Sequence, residues 1–229
     1  MTQKTESRYA IRAVERALSL LSVLSDGTPR TLKELSGDIG MNSSTTFRLL
    51  STLGSSGYVE RNGRKITYQL GIACLELARA YRESSDLRQV ALQELEQLRD
   101  DTKETVHLAI MDRMEVVYIE KFHGLHAIGI MSSQVGGRSP AYCTGLGKVL
   151  LAYADQAAVR GFYEKTGFHR YSESTVTGVD TLMEQLQEAR SREYALDLGE
   201  HEPEIHCIAS PIFDINGDVV AAISLSGPS

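Results

Sequence analysis

MNSSTTFRLLSTLGSSGYVE, residues 41–60, places four hydroxyl side chains in a row, Ser43, Ser44, Thr45 and Thr46, ahead of Phe47, Arg48 and an apolar run. Ser and Thr compete with the backbone for hydrogen bonds and are poor helix-interior residues, but they suit a helix start. Asn42 or Ser43 is placed to cap that helix, and Gly57 to stop it. Its inward positions are Thr46, Leu49, Leu50 and Leu53, which leaves Ser43, Ser44, Thr45, Phe47, Arg48 and Thr52 pointing outward.

Working outward, AIRAVERALSLLSVLSDG (10–27) carries Ala13/Val14, Ala17/Leu18, Leu20/Leu21 and Leu24 at helical spacing, and Asp26-Gly27 ends it. TLKELSGDIG (31–40) opens with Thr31 and has Glu34 three residues on, the pattern of a capping box, with Leu32, Leu35 and Ile39 turned inward. YVERNGRKITYQL (58–70) reads as a hairpin about Asn62-Gly63, with a type I′ turn expected. Helix, helix, tight turn, helix, hairpin is the order of a winged helix-turn-helix. In such a fold the third helix enters the major groove of double-stranded DNA with its N-terminal residues at base edges and phosphates. Arg61, Arg64 and Lys65, around the hairpin tip, suit phosphates or a narrow minor groove.

Charge supports the division. The whole chain has a net charge of −6, but residues 1–70 hold ten Lys and Arg against six Asp and Glu, and the rest is strongly acidic. A basic front on an acidic body fits a nucleic-acid module joined to something else. No apolar run approaches the ~20 residues of a membrane span, and the polar N-terminus does not look like a signal peptide. Three unpaired cysteines, Cys74, Cys143 and Cys207, fit reduced thiols in a cytoplasm.

Residues 71–102 read as helix with a break at Ser84-Ser85-Asp86, one apolar face carrying Leu75, Leu77 and Tyr81 and the other Leu87, Val90, Leu95 and Leu98. Such a connector can couple two domains and supply a dimer surface. Beyond it, ETVHLAIM, EVVYIEKF and AIGIM are strand-like, the first two joined by a tight turn at Asp112-Arg113-Met114. Three helices follow, the first starting near Thr144, and then two strands around Asn216-Gly217. Strands bordering helices without βαβ alternation indicate an α+β domain with a mixed or antiparallel sheet.

TLKELSGDIGMNSSTTFRLLSTLGSSGYVE, TGLGKVLLA and CIASPIFDINGDVVAAISLSGP together resemble the IclR family of bacterial transcriptional regulators, in the right order over essentially the whole chain. The resemblance implies a winged helix-turn-helix (7–70), a helical linker (71–102) and an effector-binding domain of GAF-like α+β fold (103–229). It implies homodimers, often paired into tetramers, on palindromic operators. Members are mostly repressors, with some activators, of catabolic operons, and answer to small organic acids. The effector pocket then falls on Gly145, Leu146 and Gly147 of the G-x-G-K loop, Asp197, Cys207, Ser224 and Ser226. N–H groups at the start of the Thr144 helix suit a carboxylate, and apolar Ile128, Ile130 and Met131 would wall the cavity. Two departures stand out. The acidic run before the cysteine is diluted to DLGEHEPEIHC, and the chain stops at Ser229 where relatives often continue through a terminal helix.

Other classes fit less well. GLGK lacks the phosphate-loop pattern, with Tyr142 where a glycine should stand and Val149 after the lysine. No Ser-His-Asp signature appears, and Cys207 in an apolar strand reads as core filler, so no catalytic residue and no cofactor are expected. A zinc site would draw on His201, His206 and Cys207, with His107, but adjacent strand residues 206 and 207 face opposite ways. A winged helix serving only protein contacts would not need the basic wing. The expectation is a cytoplasmic, ligand-responsive DNA-binding regulator.

Overall fold

The computed structural model describes residues 9–63, 66–125 and 131–229. The chain forms two compact units that divide between Ser84 and Ser85.

In the first unit, helices α1 (Arg12–Leu24), α2 (Leu32–Asp38) and α3 (Ser43–Ser55) precede strands β1 (Val59–Asn62) and β2 (Thr67–Leu70). Local chemistry sets the helix starts. Thr31 accepts from the Glu34 N–H while the Glu34 carboxylate accepts from the Thr31 N–H at 2.7 Å, a complete capping box. Asn42 accepts from the Thr45 N–H at 2.8 Å, so Asn42, not Ser43, caps α3. Leu20, Leu24, Leu35, Leu50, Val59 and Tyr68 form the core. Arg30 pairs through its backbone with Tyr68 and adds a third, one-residue strand to the wing.

Two expectations change here. Val14 and Leu18 of α1 are more than half exposed, because only the C-terminal half of that helix lies over α2 and α3. The wing is not a two-residue turn either. Asn62 is the last residue of β1 and pairs with Thr67, so four residues close the loop, and Gly63 supplies the positive φ. Arg64 and Lys65 lie outside the described residues. Helix α4 (Ile72–Glu83) completes the unit with no buried residue of its own.

The second unit begins with α5 (Asp86–Thr102), so the expected break at residues 84–86 is present. Its sheet runs in the order β5-β4-β3-β8-β7-β6, every neighbour antiparallel. The strands are β3 (Thr105–Asp112), β4 (Glu115–Phe122), β5 (Arg138–Pro140), β6 (Ala195–Leu198), β7 (Ile205–Phe213) and β8 (Val219–Pro228). The turn between β3 and β4 is the one with two positive φ values, at Arg113 and Met114, although neither residue favours that conformation. AIGIM falls mostly outside the described residues, and its last residue, Met131, is not in a strand.

Strand alternation sorts the side chains. Val106, Leu108, Ile119 and Ala221 face α5, where Leu95 is buried against them and Arg88 pairs with Glu120 at 2.6 Å. Val90, expected on the same face, is exposed. The opposite sheet face carries Ala109, Val116, Ala195, Ala209 and Ala222 under α6 (Gly145–Ala152), α7 (Gln156–Thr166) and α8 (Val179–Arg192). All eight residues of α6 are buried. It sits so close that a Cβ on Gly147 would lie 2.2 Å from the Ala141 carbonyl oxygen.

Gly147→Ala therefore forces backbone against backbone, with no side chain free to rotate away. We expect it to destabilise the second unit by ~1–3 kcal/mol, the range for overpacking in a well-packed interior. A urea titration of the full chain checks this, and an unchanged midpoint would refute it.

Candidate functional site

Two surfaces carry candidate residues. On α3, Ser43, Ser44, Phe47, Arg48 and Thr52 are exposed, Thr45 is half-buried, and Thr46 is buried with its hydroxyl on the Asn42 carbonyl at 3.1 Å. The outward face predicted from spacing is thus the solvent face of the helix within its unit. The Thr52 hydroxyl is committed to the Arg48 carbonyl at 3.0 Å, which leaves it less free than the serines. Phe47 and Arg61 line one shallow hollow with Ser51, Gly54, Val59 and Tyr68, so helix and wing present a continuous surface. Arg48 and Arg61 form no ion pair among the described residues.

The second surface is a cavity in the sheet unit, of about 420 Å³ counted with its mouth, and strand register builds it. Asp197 of β6 is opposite Cys207 of β7, Cys207 is opposite Ser226 of β8, and Ser226 is opposite Thr105 of β3. One pleat along, Ser224 is opposite His107. The row ends under the first turn of α6, capped by Thr144, whose hydroxyl accepts from the Gly147 N–H at 3.2 Å. Gly145, Leu146, Met131, Asp197, Cys207, Ser224 and Ser226 all line this cavity, as expected. Gly147 does not; the close approach to Ala141 is what requires it. Ile128 and Ile130 lie outside the described residues.

Sequence reasoning missed His107 as a pocket residue, along with Tyr118, Ser133, Thr144, His201 and Glu202. His107 holds the centre. Its Nδ1 is 3.2 Å from the Ser224 hydroxyl and its Nε2 2.9 Å from that of Ser133, while Lys121 Nζ donates to the Ser133 carbonyl at 2.6 Å. Ser132 in turn bonds Glu202. Same-face alternation with Thr105 and Ala109 was the available signal for His107.

Burial dominates the electrostatics. It holds His107 down to about 3, with Lys121 and His123 adding repulsion. It pushes Asp197 up to about 7, reinforced by the Glu200 carboxylate and opposed by the Glu200 N–H, which donates to Asp197 Oδ1 at 2.7 Å. Burial also pushes Cys207 up to about 12, so this cysteine is a thiol at neutral pH and a poor nucleophile. Cys207 faces the cavity while His206 is exposed on the other side of β7. Among the described residues no cluster of His, Cys, Asp and Glu is arranged to hold a metal ion, and no helix is long and apolar enough to cross a membrane.

Residues 13–63 match the family description "IclR helix-turn-helix domain" and residues 79–229 match "Bacterial transcriptional regulator IclR C-terminal". The chain belongs to the IclR family. It is 34% identical to the HTH-type transcriptional regulator KdgR of Escherichia coli K12 over 220 residues, 96% of this chain and 83% of that one. It is 32% identical to the transcriptional repressor AllR of Salmonella typhimurium over 219 residues, 95% of this chain and 80% of the other. An IclR homolog from Microbacterium hydrocarbonoxydans, solved with 4-hydroxybenzoate, superposes with a TM-score of 0.81 at 29% identity, over 94% of this chain and 89% of that one. This IclR-family member is accordingly a DNA-binding transcriptional regulator with an effector-binding domain, and not an enzyme.

Asp197 and His107 give opposite pH dependences. A carboxyl with a folded pKa above its unfolded value binds its proton more tightly in the folded chain, so its contribution is complete below about 4 and lost as pH rises to about 7. His107, depressed from 6.5 to about 3, contributes above 6.5 and loses that contribution as pH falls. Asp197→Asn removes the first and keeps an acceptor for the Glu200 N–H. Relative to the unaltered chain it should gain stability as pH rises from 4 to 7, by at most on the order of 4 kcal/mol. Urea midpoints at pH 5 and pH 8 decide it; equal differences at both would place the Asp197 pKa outside that window.

Proposed function

We propose that this regulator is a repressor of a catabolic operon, released from its operator by a small carboxylate. Residues 7–70 act as the reading head, 71–102 as the helical connector and 103–229 as the effector domain. The reading head seats α3 in the major groove, with Ser43, Ser44, Thr45, Phe47, Arg48 and Thr52 toward bases and phosphates and the wing residues Arg61, Arg64 and Lys65 on the flanking backbone. The observation that carries this is the outward face of α3, exposed and with Arg48 uncommitted. A repressor name among the relatives supports the sign of regulation.

The effector site comprises Gly145, Leu146, Asp197, Cys207, Ser224 and Ser226, with Met131, Ile128 and Ile130 as its apolar wall. No Lys or Arg lines the cavity among the described residues, so backbone N–H groups at the start of α6 and the serine hydroxyls are the groups suited to hold a carboxylate. The relative solved with 4-hydroxybenzoate, itself a carboxylate, fits that class. Homodimers or dimers of dimers on a palindromic site, in the cytoplasm, complete the proposal. Exposed Val14 and Leu18 of α1 and Ile72, Leu75, Leu77 and Tyr81 of α4 give the reading head an apolar surface for a second copy.

Fluorescence anisotropy with the chain's own upstream DNA tests the reading head. Arg48→Ala should weaken binding by ~1–3 kcal/mol and relax sequence preference if it reads a base. Unaltered affinity and preference would remove it from the contact set. Ser224→Ala should bind the same DNA normally but need more carboxylate for release, and an unshifted release curve would clear Ser224 of a role.

A further inference from the structure

Phe47 is the exposed large apolar side chain of α3, 48% accessible on a face whose other outward groups are hydroxyls and an arginine. Helical spacing sets Phe47, Ser51 and Gly54 in one stripe that turns toward the wing. On the wing, strand alternation puts Arg61 on the same side of β1 as Val59, which is buried in the core with Leu50. Between them lies a hollow of about 400 Å³ counted with its mouth. Its floor of Leu50, Val59 and Tyr68 is buried, so an incoming group meets the Phe47 ring, the bare backbone at Gly54 and the exposed Arg61. The protein's own packing does not require that glycine. A Cβ there would meet the Val59 carbonyl oxygen at 3.5 Å, an ordinary contact, and alanine would favour the helix. The missing side chain keeps open a surface that the unit itself has no need to leave bare.

Duplex DNA narrows what can sit against this ring. In the major groove each base-pair edge shows hydrogen-bonding groups, and the apolar group on offer is the C5-methyl of thymine. Beside it runs the phosphate backbone, for which Arg61, exposed and without an ion pair among the described residues, is the matching cation. An aromatic ring next to a cation fits a thymine nucleotide, with the methyl on the ring and the phosphate on the guanidinium. We propose that Phe47 is a specificity-determining residue that selects an A·T pair in the operator by packing on the thymine methyl. This role rests on α3 entering the major groove, as proposed above, and names the base that its outward ring reads.

Replacing thymidine by deoxyuridine throughout the chain's own upstream DNA removes every C5-methyl and leaves the hydrogen-bonding edges unchanged. Fluorescence anisotropy at one fixed salt concentration, without effector, should show the unaltered chain binding the uracil duplex about four-fold more weakly or worse, the worth of one buried methyl. Single thymine-to-uracil exchanges should concentrate that loss at particular thymines. Phe47→Ala, its fold verified by an unchanged thermal midpoint, should bind the thymine duplex more weakly by a similar factor and no longer distinguish the two duplexes. Arg48→Ala should still distinguish them. Equal binding of both duplexes by the unaltered chain overturns the proposal, and that measurement needs no variant to fold. So does a preference for thymine that survives Phe47→Ala, or a loss spread evenly over all thymines, which would report groove shape instead. If the duplexes bind equally while Arg48→Ala still weakens binding, the methyl contact alone fails. If Arg48→Ala is also silent, the placement of α3 fails with it.

Discussion

The effector unit depends on how closely α6 lies on its sheet. Two glycines in its first turn permit this. A Cβ on Gly145 would touch that of Ala209 at 3.4 Å, and one on Gly147 would strike the Ala141 backbone. The same approach makes Ala109, Ala195, Ala209 and Ala222 the residues of the sheet face beneath it, since anything larger would lift the helix. At this depth the N-terminus of α6 meets the row from Asp197 to Ser226, and Lys148 reaches past the helix to the edge strand β6.

That distance also explains why the polar groups of the row are so perturbed. Little of Asp197 or His107 is accessible to water that would stabilise their charged forms, and the groups around them are mostly neutral hydroxyls and one backbone N–H. Near neutral pH the row is therefore held by an uncharged imidazole and a carboxyl close to its midpoint. A carboxylate entering beside Asp197 would raise its proton affinity further by like-charge repulsion, so the entering charge is met in part by proton uptake.

Local signals were legible in the sequence and long-range ones were not. The Thr31–Glu34 capping box, the Asn42 cap, the Thr144 helix start and the break at Ser84 each depend on residues within four positions of one another. Val14 and Leu18 were misplaced because helical periodicity defines a face without saying how far the neighbouring helices extend along it. Asn62-Gly63 promised a two-residue turn, but strand pairing fixed a four-residue loop, while the tight turn expected at Asp112-Arg113-Met114 is the two-residue one, formed without the Asn-Gly pair that favours it. Strands β5 and β6, three and four residues long, are too short to show alternation. For the cavity, family resemblance supplied Gly145, Leu146, Asp197, Cys207 and the two serines. His107 needed the β3–β8 register, which joins residues more than a hundred positions apart.

The two candidate surfaces differ in how committed their polar groups are, and this bears on how each works. On α3 the Ser43 and Arg48 side chains are exposed, so contact with a duplex exchanges water for phosphate or base without dismantling anything in the protein. In the cavity the groups are already spoken for. Ser224 bonds His107, His107 bonds Ser133, and Ser133 bonds Lys121. A ligand that takes the Ser224 hydroxyl competes with the imidazole and loosens the chain of contacts that pins residues 132–133 to the sheet. A ligand that displaced those contacts would couple its binding to a rearrangement of the protein, and only a difference in contacts between two states lets a ligand shift an equilibrium.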